Sequence, residues 1–232
     1  VSIDDVDKHV TPYTNKKSQL FLVDLGRGKD RMGGSAIDQT LSYTNHESPN
    51  INKLDDLLNY YKFTQELVRK NVLNAYHDRS DGGLITTLIE MAFVSNMTID
   101  LKNVSKKSKT ELIRFLFNEE LGGIFAIDKK YEKEFIKLTR KYDLEAITHN
   151  IGNITKKGKP ILKITACSYS ESISKLRKYW SELSYLIQSE RDNKKTALSE
   201  YNAKINSHQT IHEHLIPKLH YRVSYILSLI HI

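Results

Sequence analysis

Strand-length apolar runs alternate with helically periodic segments through residues 20–166, and this alternation confines the chain to the α/β or α+β class. Residues 20–25, LFLVDL, predict a buried strand, followed by the Gly-rich stretch GRGKDRMGGSA and a helix starting near Ser35. Residues 42–53 hold Pro49 and several asparagines and predict a loop. Over 54–70 apolar residues recur at helical spacing, and Asp55 and Asp56 suit the positive end of a helix dipole. A strand at 72–76 runs into a polar turn, and a strongly apolar helix follows over 82–94. Further on, the pattern predicts a short strand in NMTIDL (96–101), a helix over 109–117, a strand in GGIFAID (122–128) and an amphipathic helix over 130–142. Two more strands, 146–154 and 160–166, flank the turn TKKGKP.

From about Ile173 the character changes. ISKLRKYWSELSYLIQSERDN predicts a long helix carrying Trp180, and after Asn193 the composition is that of a linker. The last stretch, HEHLIPKLHYRVSYILSLIHI, is apolar without a clear cap or partner. With 232 residues, 39% of them hydrophobic, the chain is long enough for one large domain or one domain with appendages. No uncharged apolar stretch reaches the roughly 18 residues of a membrane span, so no membrane partner is expected. The acidic, polar start VSIDDVDKHV is not a signal peptide, and its lack of an initiator Met leads us to expect a fragment. One cysteine, Cys167, fits a reducing, cytoplasmic setting; it lies in an alternating strand-like run, where a buried, inert thiol is expected. The net charge of +7 would suit an anionic partner, but the lysines stand beside glutamates along helices, as on a solvated face. No basic and aromatic interleaving marks a base-stacking surface, so no nucleic-acid partner is expected. His208, His212, His214 and His220 lack the fixed second pair that a zinc site needs.

Three glycine-bearing turns carry the candidate chemistry. GRGKDRMGGSA follows a strand and precedes a helix, where backbone N–H groups can cradle phosphate through Gly33, Gly34 and Ser35. It is neither a Walker A loop, since Gly34 stands where the lysine belongs, nor G-x-G-x-x-G, since Arg31 takes the third glycine position. Arg27, Lys29 and Arg31 are its candidate phosphate contacts, and the alternative is a flexible turn capped by Ser35. HDRSDGG crowds His77, Asp78, Arg79, Ser80 and Asp81 ahead of Gly82 and Gly83. Ser80 or Asp81 would cap the following helix, and Asp78 and Arg79 would pair on the surface. Yet a cap needs one such residue, and carboxylates beside a helix N-terminus also suit a hydrated Mg2+ held against phosphates. In FNEELGG, Glu119 and Glu120 are expected to be solvated acids at a helix end, with a supporting role at the same site as the alternative.

Together these motifs resemble the second half of the large form of phosphoribosylformylglycinamidine synthase. LFLVDLGRGKDRMGGSA, AYHDRSDGGLITTLIEMAF and LFNEELGG carry the resemblance, and YWSELSYLIQSERDN and SEYNAKIN are similar to the family's connection toward its glutaminase domain. HDRSDGG alone marks only the wider superfamily of aminoimidazole ribonucleotide synthetase, selenophosphate synthetase and thiamine-monophosphate kinase. The resemblance implies the C-terminal α/β subdomain of the aminoimidazole ribonucleotide synthetase-like fold, followed by a helical linker. It divides the chain into the end of a preceding subdomain (1–15), the α/β subdomain (16–175), a helix and linker (176–206) and an unassigned, foreign tail (207–232). It also implies an ATP- and glutamine-dependent ligase that converts formylglycinamide ribonucleotide to the amidine, with Mg2+ and ATP or ADP as cofactors. The rest of the synthase and the glutaminase domain would be its partners. By that resemblance Asp78 is the Mg2+ ligand and Ser80 a nucleotide contact, within a site implied to be auxiliary and structural, and no catalytic residue is carried over. The family's other Mg2+ ligands and its glutaminase cysteine have no counterpart here, and Cys167 does not take the latter role. Two other readings remain open: another ATP-dependent member of the superfamily, and a non-catalytic basic module binding RNA.

Overall fold

The computed structural model describes residues 9–44, 46–105, 108–156 and 158–206. They belong to two compact units, 1–180 and 181–232. In the first, seven strands form one sheet: β1 (Ser18–Asp24), β2 (Leu73–Asp78), β3 (Thr98–Leu101), β4 (Gly122–Ile127), β5 (Thr148–Thr155), β6 (Ile161–Ile164) and β7 (Tyr169–Ser172). Their order is β2-β4-β1-β5-β3-β6-β7, and every neighbouring pair is antiparallel except β3 with β6.

Five helices lie between the strands: α1 (Ala36–Leu41), α2 (Leu54–Arg69), α3 (Gly83–Ser95), α4 (Lys109–Phe117) and α5 (Glu132–Lys141). The unbroken apolar run of β1 follows from burial on both faces. Leu20 and Leu22 join a core with Leu84, Leu88 and Met91 of α3 and Leu112 and Phe115 of α4. Phe21 and Val23 turn the other way, toward Phe63 and Leu67 of α2 and Phe135 and Leu138 of α5. β4 repeats the alternation, with Ile124 and Ala126 in the first core and Phe125 and Ile127 in the second. Each such side chain taken fully out of water stabilises the fold by about 1.5–3 kcal/mol, which is why residues 20–23 of β1 and 124–127 of β4 are all apolar. The architecture is α/β (α+β), as the alternation in the sequence predicts.

The chain ahead of β1 packs on the same unit, with the Tyr76 N–H donating to the Thr11 carbonyl at 3.0 Å and the Thr14 N–H to Ser95 Oγ at 3.0 Å. α6 (Ile173–Arg191) begins in this unit, where Arg177 donates to the Phe93 carbonyl and Trp180 meets the Phe93 ring edge-on at 5.6 Å.

In the second unit the stretch expected to be a linker after Asn193 is a helix, α7 (Lys194–Asn206). Asn193 Oδ1 accepts the N–H groups of Lys195 and Thr196 at 3.0 and 3.2 Å, an N-cap that the polar composition obscured. Tyr185 and Tyr201 stack with ring centroids 4.6 Å apart, and Gln188 donates to Glu200 at 2.9 Å.

One further expectation is corrected, and one strand is added. β7 lies in a stretch, YSES, too short and polar to announce itself. Cys167 is exposed rather than buried, because the run it occupies breaks into a 3₁₀ turn, Thr165–Cys167, between β6 and β7. The expected foreign tail and its histidines lie outside the described residues. Among the described residues no helix is long and apolar enough to cross a membrane.

Candidate functional site

The sheet brings the three glycine turns to one end. β1 and β2 both run antiparallel to β4, with Asp24 opposite Gly122 and Asp78 opposite Gly123. The last residues of β1 and β2 therefore sit beside the first residues of β4. The glycine loop after β1, the polar turn after β2 and the acidic turn before β4 emerge together.

Buried polar groups lace the turns to one another. Asp24 accepts the N–H groups of Gly26 (3.2 Å) and Gly28 (2.7 Å), which folds the glycine loop back on its strand, and it receives Arg79 Nη2 at 3.1 Å. The Arg79 side chain is only 1% exposed. Its other terminal nitrogen donates to Asn118 Oδ1, and its backbone N–H donates to the Gly122 carbonyl at 2.9 Å. Asn118, fully buried, passes the connection on to Asp30 Oδ1 at 3.1 Å. Arg31 meets Glu120 through two parallel bonds of 2.6 and 2.7 Å, with side chains 3% and 1% exposed. That hydrogen bonding holds the Arg31 guanidinium above its ordinary pKa despite burial. A cavity of about 210 Å3 opens beside the cluster, lined in part by Asp24, Gly28, Asp30, Asn103, His149 and Asn150.

Several expectations change in this setting. Arg31 is consumed by Glu120 and is not free for phosphate, and Arg27 is held by the buried carboxylate of Asp56 at 2.7 and 2.9 Å with its side chain 36% exposed. The Arg27 guanidinium pKa rises through that bond. Gly33 gives its N–H to the Glu47 carbonyl at 2.8 Å, and Gly34 offers its carbonyl to Gln39. Ser35 does cap α1, accepting the Asp38 N–H at 3.4 Å. Glu120 is not a solvated acid, and neither is Glu119, whose Oε1 accepts the N–H groups of both Ala36 and Gly82 at 2.8 Å. Arg79 pairs with Asp24 in the interior rather than with Asp78 at the surface.

Around the polar turn, Asp81 is exposed and does not cap α3, whose N-cap is Gly82 with no side-chain bond of its own. Gly83 closes the turn by donating to the Ser80 carbonyl at 2.9 Å. Ser80 commits its hydroxyl proton to Glu90 at 3.1 Å and its N–H to Thr87, which leaves oxygen lone pairs for a ligand. Asp78 ends β2 with its side chain 75% exposed, beside His77, whose ring stands between Asp78 (3.2 Å) and Glu90 (3.3 Å). Among the described residues no three His, Cys, Asp or Glu side chains gather as a cage for a metal ion. One exposed carboxylate beside a helix start could hold a Mg2+ only together with ligands drawn from phosphate and water.

Sequence reasoning missed Asp24, Asn118 and Glu90. An acid closing an apolar strand, as Asp24 closes LFLVD, was the one available signal, because its burial needs partners that only the fold supplies.

Residues 25–165 match the family described as AIR synthase related protein, C-terminal domain. The fold also matches solved structures of Thermotoga maritima PurL. The complex with ATP aligns with a TM-score of 0.53 at 12% identity, over 72% of this chain and 27% of that one. The complex with FGAR aligns with a TM-score of 0.52 at 14% identity, over 74% and 30%. The chain thus spans under a third of the length of these structures. At such identities the likeness is one of fold, whereas the family match runs from the residue after β1 through β6 and takes in all three glycine turns. The chain belongs to the AIR synthase related protein C-terminal domain family.

Proposed function

We propose that this chain is the second C-terminal subdomain of a phosphoribosylformylglycinamidine synthase and contributes one side of a Mg2+–nucleotide site. The observation that carries the reading is Asp78: an exposed carboxylate at the end of β2, beside the start of α3, at the end of the sheet where the glycine loop also emerges. Family membership supports it, as do the ATP and FGAR complexes of the similar PurL structures.

Asp78 would ligate Mg2+, which neutralises charge on the nucleotide phosphates when bound. Ser80 would accept a hydrogen bond from the nucleotide or its water shell, since its own proton goes to Glu90. The buried Arg79 would fix the turn from behind through Asp24 and Asn118. In the reaction class concerned, ATP phosphorylates the formyl amide oxygen of formylglycinamide ribonucleotide, and ammonia displaces phosphate to form the amidine. This chain's part is to hold nucleotide, while the remaining metal ligands and the ammonia source belong to other domains.

Calorimetric titration of ATP into the full chain, with Mg2+ and with EDTA, tests the proposal. Binding should require Mg2+, and Asp78→Asn should weaken it by at least about tenfold, since an opposite charge is removed from the metal. Absence of binding under both conditions would overturn it. Turnover of formylglycinamide ribonucleotide by this chain alone would overturn the assignment as one part of a larger enzyme.

A further inference from the structure

Glu119 is placed unlike any other acid near the site. Both its neighbours are locked into the interior, Asn118 by Arg79 and Asp30, and Glu120 by Arg31. The backbone is anchored on both sides of Glu119, so its side chain is aimed by its flanks. One of its oxygens, Oε1, accepts the N–H of Ala36, the first residue of α1, and the N–H of Gly82, the N-cap of α3, each at 2.8 Å.

Helix α3 has no side-chain cap of its own and no acid in its first turn. The Ser80 hydroxyl is turned toward Glu90, and Asp81 is exposed. A carboxylate from a third segment therefore does the capping, and its charge complements the helix dipole. Because the same oxygen also takes the first N–H of α1, the end of the glycine loop is fixed relative to the turn that carries Asp78 and Ser80.

We infer that Glu119 is a positioning residue for the nucleotide site: its carboxylate fastens the glycine loop and the Asp78 turn to one another, so that neither moves without the other. This rests on the nucleotide-site reading proposed above. Glutamine keeps an oxygen able to accept both bonds; alanine keeps none.

The test uses the full chain with Glu119→Gln and Glu119→Ala, and reads amide hydrogen exchange by NMR together with Mg2+–ATP affinity. In Glu119→Ala the amides of Ala36 and Gly82 should lose protection together, each by about tenfold or more, while the Arg79 amide bound to Gly122 stays protected. Mg2+–ATP affinity should fall by about tenfold or more, the equivalent of one misplaced charged contact. Glu119→Gln should restore both within about threefold. Unchanged exchange at Ala36 and Gly82 in Glu119→Ala would overturn the inference, as would independent loss at one of the two, or coupled loss with full ATP affinity. If the unmodified chain does not bind Mg2+–ATP, the nucleotide-site reading fails, and with it the positioning role. Coupled loss of protection would then leave Glu119 as a purely structural tie.

Discussion

Arg31 and Glu120 form a two-pronged ion pair with almost no solvent contact, joining the glycine loop to the turn before β4 across 89 residues of sequence. The Arg31 N–H adds a third bond to the same carboxylate at 3.1 Å, and Arg31 Nη2 also reaches the Asn50 carbonyl at 2.6 Å. Such a pair gains little over an apolar replacement, but removing one partner strands a buried charge. Glu120→Ala should therefore cost about 3–5 kcal/mol in urea unfolding. The double variant Arg31→Met with Glu120→Leu should recover most of that loss. A double variant no more stable than Glu120→Ala would show that the pair's charge is itself what holds the two turns.

Gly34 and Gly83 have the same left-handed backbone, φ 81°, in different surroundings. A Cβ at Gly34 meets nothing within 4 Å, so Gly34→Ala should cost only the conformational strain, about 1–2 kcal/mol. A Cβ at Gly83 would lie 2.6 Å from the Asn118 carbonyl oxygen and 2.6 Å from the Phe117 carbonyl carbon. Those atoms belong to the end of α4 and cannot swing aside as a side chain would. Gly83→Ala should lower the thermal midpoint much further than Gly34→Ala. Equal shifts would show that α4 yields easily.

The helices on the opposite face predict a pH response. Glu66 on α2 accepts from Lys141 Nζ at 2.5 Å and from the Tyr142 hydroxyl, and those bonds, Lys141 first, hold its carboxyl below the ordinary 4.5. Glu134 on α5 is lowered in the same direction by Lys70, 2.7 Å away. A carboxyl whose pKa is depressed on folding stabilises the fold above its unfolded value, and that contribution is lost as pH falls through the folded value. Glu66→Gln should thus be less stable than the parent chain near neutrality, and the gap should close below about pH 4.5. A gap independent of pH in thermal unfolding would remove charge as the cause.

How much of this was legible depended on whether a residue's role was local. Residues 20–25 announced a strand buried on both faces, and the spacing of Tyr60, Phe63 and Leu67 announced the buried side of α2. The Ser35 cap was readable because donor and acceptor lie three residues apart. Asp24 with Arg79, and Glu119 with Ala36 and Gly82, join segments brought together only by the β1–β4 and β2–β4 ladders. Apart from the place of Asp24 at the end of an apolar run, no local pattern distinguishes such acids from solvated ones. The same limit explains Asp81: its position before two glycines fits a cap, yet Glu119 arrives from another turn to take that place.

Asp78 and Asp81 separate the metal role from the structural one within a single turn. Asp81 is exposed and makes no capping bond, so Asp81→Ala should shift stability by no more than about 0.5 kcal/mol, short of the roughly 1 kcal/mol of a lost cap. Asp78→Asn keeps the side chain's size and its contact with His77 within reach, and without nucleotide its midpoint should also stay near that of the parent. The two should part when Mg2+–ATP is added. A ligand at about a hundred times its dissociation constant stabilises the folded state by about 2.7 kcal/mol. The parent chain and Asp81→Ala should show that gain in thermal unfolding, and Asp78→Asn should fall short of it by about 1.3 kcal/mol or more at the same concentration, the equivalent of a tenfold weaker affinity. With EDTA in place of Mg2+ the gain should vanish in all three. A full gain in Asp78→Asn would refute the metal role, whereas a gain lost in Asp81→Ala but kept in Asp78→Asn would move that role three residues along the turn.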